Sequence, residues 1–473
     1  MKTHPVYLNG ALTITENTGL VRNPANGEPL ARMSLVGRSE VAQALRDAQA
    51  AFAMWRQVPG KGRGELLQQV TNELHRRREE IARLITLENG KPLTQSQGEV
   101  ALAVDHLRWF AEEARRGYGR ILPHQVEGKR HLVVKTPIGV VGAISPWNFP
   151  LMLAVRKVAP ALAAGCTVVL KPASATPLCA VAFAECIDTV RLPKGVFQLV
   201  AGSASEIGKE FLDNPLCRKI TFTGSTEVGR KLIEGAARQV KALSLELGGH
   251  APVLVFEDCD LETALEGTLQ AKFRNTGQSC IAASRIYVQR GIYERFLKLF
   301  VERVRELKVG EGLEPQTQIG PLIDEAAVAK ATEHIEDALR GGARLLCGGK
   351  RLERPGYFLQ PTVLADVPKG SLSMYEETFA PVAVFSPFDT EPEAVERANQ
   401  SAYGLSAYAF TREVGRIFRL AEVLEAGIIG INDGVPTTSQ APFGGVKQSG
   451  WGRELGLEGM DAFLDTKHVS IGI

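Results

Sequence analysis

The sequence predicts an α/β protein built from two successive blocks of parallel sheet. Between Val140 and Phe256, short apolar runs alternate with helical segments; the runs are Val140–Ser145, Thr167–Leu170, Val196–Val200, Lys219–Thr223 and Pro252–Phe256. The same alternation resumes after about residue 250 and continues to about residue 445. The composition, 44% hydrophobic and 23% charged, is that of an ordinary globular chain. Strands alternating with helices imply right-handed crossovers, a parallel sheet and ligand sites at the C-terminal ends of the strands. At roughly 150 residues per domain, 473 residues point to about three domains.

The first 115 residues read as strand signals followed by helices. Ser39 is placed to cap a helix in which Val41, Leu45, Ala48, Phe52 and Trp55 recur at helical spacing. A second helix runs through Leu67, Val70, Leu74, Ile81 and Leu84 and stops at Asn89-Gly90. Residues 119–137 and the tail Leu464–Ile473 look extended, and such strands pair with each other or with another subunit.

Near-balance of 55 basic against 53 acidic residues predicts no nucleic-acid or membrane-surface electrostatics. Seven irregularly spaced cysteines, with no Cys-x-x-Cys pair, argue against a disulfide framework and against a zinc site, so no metal is expected and a reduced cytoplasmic chain is the simplest reading. The N-terminus lacks the apolar core of a signal peptide. The most apolar stretch, Pro150–Leu170, is broken by Arg156-Lys157 and Gly165 and does not read as a membrane span.

Five local patterns carry chemical possibilities, each beside a plainer one. Gly224–Gly229 follows a strand-like run and opens a helical one, which places backbone amides where anions bind, or is a tight turn. Lys171, just past the run Thr167–Leu170, can reach ribose or phosphate oxygens, or is a solvated strand-end lysine. Cys280 follows a Gly-containing polar turn whose amides can lower a thiol pKa, which would make it a nucleophile; a lone cysteine is more often a small buried hydrophobe. Glu246, on a strand before Gly248-Gly249, is a general base if its cleft is dry, or else a solvent-facing strand residue. Asn148, between the prolines and aromatics of Pro146–Pro150, is a rigid oxyanion donor or a turn-forming amide.

Together with Glu376–Val382 and Pro442–Gly450, these segments run in one order across nearly the whole chain, and in that order the sequence resembles the aldehyde dehydrogenase superfamily. The resemblance implies an aldehyde dehydrogenase-like α/β fold: two doubly wound α/β domains plus a β-hairpin oligomerisation element. It places an NAD(P)-binding domain at residues 1–118 and 138–249, a catalytic domain at 250–445 and the oligomerisation element at 119–137 and 446–473. It also implies a homo-oligomer, dimer or tetramer, acting on a small-molecule aldehyde with no nucleic-acid or membrane partner. By the same resemblance Cys280 is the nucleophile, Glu246 the general base and Asn148 the oxyanion donor, with Asn148 also beside the cofactor. Lys171 and Glu377 hold the cofactor ribose hydroxyls, Gly224 and Ser225 contact phosphate, and Trp147, Leu247 and Phe379 line the cofactor. The cofactor is NADP or NAD. Ser174 stands where relatives selective for NAD⁺ often carry an acid, so NADP⁺ is expected to be accepted and preferred. Ala380 departs from the family's usual glycine and puts the packing of that loop in question.

The implied chemistry is attack of the Cys280 thiolate on an aldehyde, hydride loss to leave a thioester, and hydrolysis to a carboxylic acid by a water that Glu246 activates. Within the superfamily, Arg156 and Lys272–Cys280 look like the succinate-semialdehyde branch, where two arginines, here Arg156 and Arg274, and a hydroxyl of the loop before Pro442-Phe443-Gly444-Gly445 clamp the distal carboxylate. The hydroxyl is assigned to Thr438 in Val435–Gln440. Glutarate semialdehyde or another polar aldehyde stays open as the substrate, and Arg156 has the plainer reading of a surface helix residue.

Overall fold

The computed structural model describes all 473 residues, Met1–Ile473. Two large sheets and a protruding small one organise the chain. The first has eight strands, in the order Gly450–Trp451, Ala242–Glu246, Cys217–Thr223, Val140–Ile144, Thr167–Lys171, Phe197–Leu199, Val6–Leu8 and Ala11–Thr13. Its five central strands are mutually parallel. In chain order they lie 3-2-1-4-5, so the connections reverse direction between Val140–Ile144 and Cys217–Thr223. At such a switch point the loops leaving the two strands diverge and open a crevice for a ligand. Here those loops are Ser145–Phe149 and Gly224–Ser225.

The second sheet has seven strands, ordered Arg344–Cys347, Thr362–Ala365, Val382–Phe388, Ala283–Gln289, Ala251–Val255, Ser406–Phe410 and Ile428–Ile431. All of its pairs are parallel except the outermost one, Arg344–Cys347 with Thr362–Ala365. Alternate residues point to opposite faces: Val253, Ile286 and Phe385 enter one apolar cluster, while Leu254, Tyr287 and Val384 enter another. Covering both faces with helices is what allows these strands to be continuously apolar.

The two extended segments pair with each other. Leu464–Gly472 lies antiparallel to Lys129–Pro137 over nine residues, from Leu464 opposite Pro137 to Gly472 opposite Lys129. Arg120–Leu122 forms the third strand. The predicted boundary at residue 446 is too early. Gly450–Trp451 extends the eight-stranded sheet beside Ala242–Glu246, and Val446–Lys447 pairs with Tyr403–Gly404. Only the strand from Leu464 onward leaves the body.

Two helix predictions also shift. The first helix, Arg38–Trp55, is capped by Gly37, whose N–H donates to the Glu40 carboxylate at 3.0 Å, and Ser39 lies inside it. The second prediction is two helices, Gly60–Arg76 and Arg78–Asn89, broken at Arg77. The Arg77 guanidinium turns away to Glu185 at 2.7 Å and the Ala182 carbonyl at 3.3 Å. No helix is long and apolar enough to cross a membrane. The most apolar stretch becomes Pro150–Ala164, a helix buried over its whole length that launches from the Trp147-Asn148 loop.

Candidate active site

Cys280 reaches the centre of the molecule through a strained turn. Asn275, Thr276 and Gly277 have φ of 51°, 60° and 74° in succession. Left-handed backbone at a β-branched residue costs on the order of 1–3 kcal/mol, so neighbours must hold it. Thr276 does this through the Gly320 turn, accepting from Gly320 N–H at 3.1 Å. Asn275 Nδ2 donates to the Asn148 carbonyl at 2.8 Å. Glycine is required at 277, because a Cβ there would lie 2.2 Å from the Ala380 carbonyl oxygen. Ala380 itself is buried in an apolar cluster, so its added methyl is accommodated.

The Asn148 side chain donates to the Gln278 carbonyl at 3.1 Å, two residues before Cys280. An amide carries two donor hydrogens, so one remains beyond this bond. Glu246 ends the strand Ala242–Glu246 and is 2% exposed, and neither carboxylate oxygen has a hydrogen-bond partner. A Cβ on Gly444 would come within 2.8 Å of Glu246 Oε1, which is why bare backbone passes there. Burial first, then the Glu454 carboxylate, raises the Glu246 carboxyl well above its ordinary range, while Lys157, Arg453 and Arg156 oppose the rise. The Cys280 thiol goes up to about 12 through burial and the charges of Glu377 and Glu246, with Arg156 pulling the other way. In the chain alone, burial outweighs the turn's amides.

Cys280 shares a pocket with Phe149, Met152, Arg156, Arg274, Thr437 and Phe443. Arg156 is 3% exposed, which removes its reading as a surface residue. Its guanidinium packs 4.5 Å from the Phe443 ring centre, and its Nε is buried without a partner. Arg274 packs 5.1 Å from the Phe149 ring centre. Neither arginine has a carboxylate within salt-bridge distance, although ion pairs form widely elsewhere in the chain. Thr438 lies outside this pocket. It is exposed and donates to Gln440 in its own loop, while the neighbouring hydroxyl, Thr437, lines the pocket.

Around the switch point stand the groups expected for the cofactor. Lys171 ends its strand and is 4% exposed, with its ammonium donating only to the adjacent Pro172 carbonyl; burial lowers it to about 8. Ser174 is exposed three residues further on. Ser225 caps the helix Thr226–Ala237, and the approach through Gly224 is tight, since a Cβ there would meet the Phe222 ring at 2.3 Å. Glu377 accepts from Gly249 N–H at 3.2 Å, and burial lifts its carboxyl to about 7. Trp147 and Phe379 meet edge to face at 5.5 Å, and Leu247 is buried under Gly229. An ammonium with no counter-ion, a carboxylate with an unfilled oxygen and an open helix N-terminus at one crevice fit a dinucleotide.

The aldehyde dehydrogenase family matches residues 14–469. The chain belongs to the aldehyde dehydrogenase family. It is 49% identical over 453 residues to the NADP⁺ succinate-semialdehyde dehydrogenase GabD of Escherichia coli K12, covering 96% of this chain and 94% of that one. It is 46% identical over 468 residues to a glutarate-semialdehyde dehydrogenase of Pseudomonas aeruginosa, covering 98% and 97%. In structure it is similar to an NADP-dependent enzyme of E. coli, with a TM-score of 0.99 and 47% identity, covering 100% of this chain and 98% of the other. This aldehyde dehydrogenase is thus an NAD(P)-dependent oxidoreductase acting on aldehydes.

Four buried charges beside the site escaped the sequence reading. Lys157 Nζ bonds Glu454 at 2.5 Å and Thr223 at 2.7 Å, and Lys91 bonds Glu99 at 2.6 Å. A signal was present for Lys157, since a lysine inside the most apolar stretch of a chain must find a partner if that stretch is buried. Lys91, in a polar loop, gave none.

Proposed function

We propose that this aldehyde dehydrogenase oxidises succinate semialdehyde to succinate, with NADP⁺ as the preferred cofactor. The observation that carries the reading is the pair of guanidinium groups, Arg156 and Arg274, without carboxylate partners in the pocket that holds Cys280. A buried cation without a counter-ion is costly, and an anionic substrate tail would complete it. The E. coli and P. aeruginosa relatives act on four- and five-carbon aldehydes with such a tail. Glutarate semialdehyde, one methylene longer, is therefore the second reading. Initial rates on a panel of both semialdehydes and butanal, with each cofactor, test the assignment. A preference for butanal would refute it.

In this reading Lys171, Glu377, Gly224, Ser225, Trp147, Leu247 and Phe379 hold the cofactor across the switch point. Bound NAD(P)⁺ supplies an acceptor for the hydride. The Cys280 thiol gives its proton to solvent, and the thiolate adds to the aldehyde carbon. The Asn148 amide and the Cys280 N–H hold the oxyanion, each such donor contributing about 2.7–4 kcal/mol in comparable enzymes. Once the sulfur-bound carbon is oxidised to a thioester, Glu246 draws a proton from water, which adds to the carbonyl and releases the free acid from Cys280. Arg156, Arg274 and the Thr437 hydroxyl grip the distal carboxylate. The strand Leu464–Gly472 lies at the edge of the small sheet and offers backbone pairing to a second copy, in keeping with a homo-oligomer; we place the enzyme in the cytoplasm.

Two consequences are measurable. Charge-assisted hydrogen bonds contribute about 1.5–3 kcal/mol each, or roughly ten- to a hundredfold at about 1.4 kcal/mol per tenfold. Arg156→Ala and Arg274→Ala should each lower kcat/KM for succinate semialdehyde by that factor, mostly through KM, and leave butanal oxidation nearly unchanged. Equal losses on both aldehydes would make the arginines structural. Ser174→Glu should shift the kcat/KM ratio toward NAD⁺ by about tenfold, because a carboxylate would repel the 2′-phosphate. An unchanged ratio would remove Ser174 from cofactor selection.

A further inference from the structure

We propose that the buried Lys91–Glu99 pair is a positioning device that aims the Asn148 amide at the oxyanion. The inference rests on the reading of Asn148 as the oxyanion donor. Lys91 lies in Gly90–Pro92, the tight junction between the helices Arg78–Asn89 and Leu93–Glu113. Both charged side chains are wholly buried. From one atom, Lys91 Nζ donates to Glu99 Oε2 at 2.6 Å and to the Asn148 backbone carbonyl at 2.6 Å. The other Glu99 oxygen accepts the first free amides of the helix Pro150–Ala164, from Leu151 at 3.0 Å and Met152 at 3.2 Å.

The pair therefore holds the Trp147–Pro150 turn on both sides, gripping the carbonyl of Asn148 and the helix start that follows it. The Asn148 carbonyl also accepts Asn275 Nδ2 at 2.8 Å, so the same oxygen ties the turn to the Cys280 loop. The Lys91 ammonium lies 4.0 Å from the centre of the Phe149 ring, which also faces Arg274. An amide donor works only if its backbone cannot rotate, since a displacement of about 1 Å costs on the order of a hundredfold in rate. A solvent-facing loop could not supply that rigidity, but two buried charge-assisted bonds can.

Turnover and binding are the readouts, by reduced-cofactor absorbance and by cofactor fluorescence titration. Lys91→Met should lower kcat by about ten- to a hundredfold while KM for the aldehyde and cofactor affinity stay within about twofold. In an Asn148→Ala background the same substitution should cost less than about twofold further, because the group it aims is gone. Losses that multiply in the double variant, or an unchanged kcat in Lys91→Met, overturn the proposal. If Lys91→Met does not fold, Glu99→Gln keeps the shape of the pair and should lower kcat about three- to tenfold with KM unmoved; an unchanged kcat there overturns it equally. The single Asn148→Ala variant separates the two readings. If it keeps full turnover, the assignment of the donor is wrong; if it loses turnover and Lys91 and Glu99 variants do not, only the positioning role is.

Discussion

Replacement of Cys280 by alanine is expected to lower kcat for aldehyde oxidation by at least about 10⁴-fold, since nucleophile deletions in covalent enzymes cost this much or more. Cofactor binding, followed by fluorescence titration, should be within about twofold of wild type, because Cys280 is not among the groups proposed to hold it. The thiol follows a turn with three successive left-handed residues, Asn275–Gly277, and lines the pocket that also holds Arg156 and Arg274. Retention of near-wild-type oxidation by Cys280→Ala would remove the nucleophile assignment and the thioester route with it.

Glu246→Gln is expected to lower steady-state turnover by about 10²- to 10⁴-fold, the usual contribution of a general base. The loss should fall chiefly on hydrolysis, so that a burst of reduced cofactor near one equivalent precedes a slow steady rate. Burial and the Glu454 carboxylate raise the Glu246 carboxyl well above its ordinary range. Only the deprotonated form accepts a proton, so wild-type hydrolysis should rise with pH through that raised pKa and fall below it. The glutamine variant should lose this limb of the profile. Stopped-flow absorbance across pH checks both points. A variant that shows neither a burst nor a flattened profile would assign the base elsewhere.

Arrangement decided several things that order along the chain could not. Alternating apolar runs and helices were enough to foresee two parallel sheets, because burial on both faces forces strands to be apolar throughout. The order of Asn148, Lys171, Gly224, Glu246 and Cys280 carried a family resemblance, and that resemblance implied the chemistry; Lys171, Gly224 and Glu246 lie at strand C-terminal ends, where ligands collect. The second predicted helix breaks at Arg77, whose guanidinium bonds both Glu80 in the following helix and Glu185, distant in sequence. Gly450–Trp451 joined the body because the edge of a strand some two hundred residues earlier was open to it. Thr437 and Thr438 are indistinguishable as neighbouring hydroxyls; only the path of their loop turns one into the pocket and the other to Gln440. The plainer reading of Arg156 as a surface cation falls away only when the helix around it is seen to be buried, and Lys91 and Glu99 acquire meaning only when folding brings Asn148 between them and the Cys280 turn. Local preference is written in nearest neighbours, whereas the state of a charge depends on what packs against it from elsewhere in the chain. That is why candidates for the reacting residues could be named from sequence, whereas the buried contacts around them required the tertiary structure.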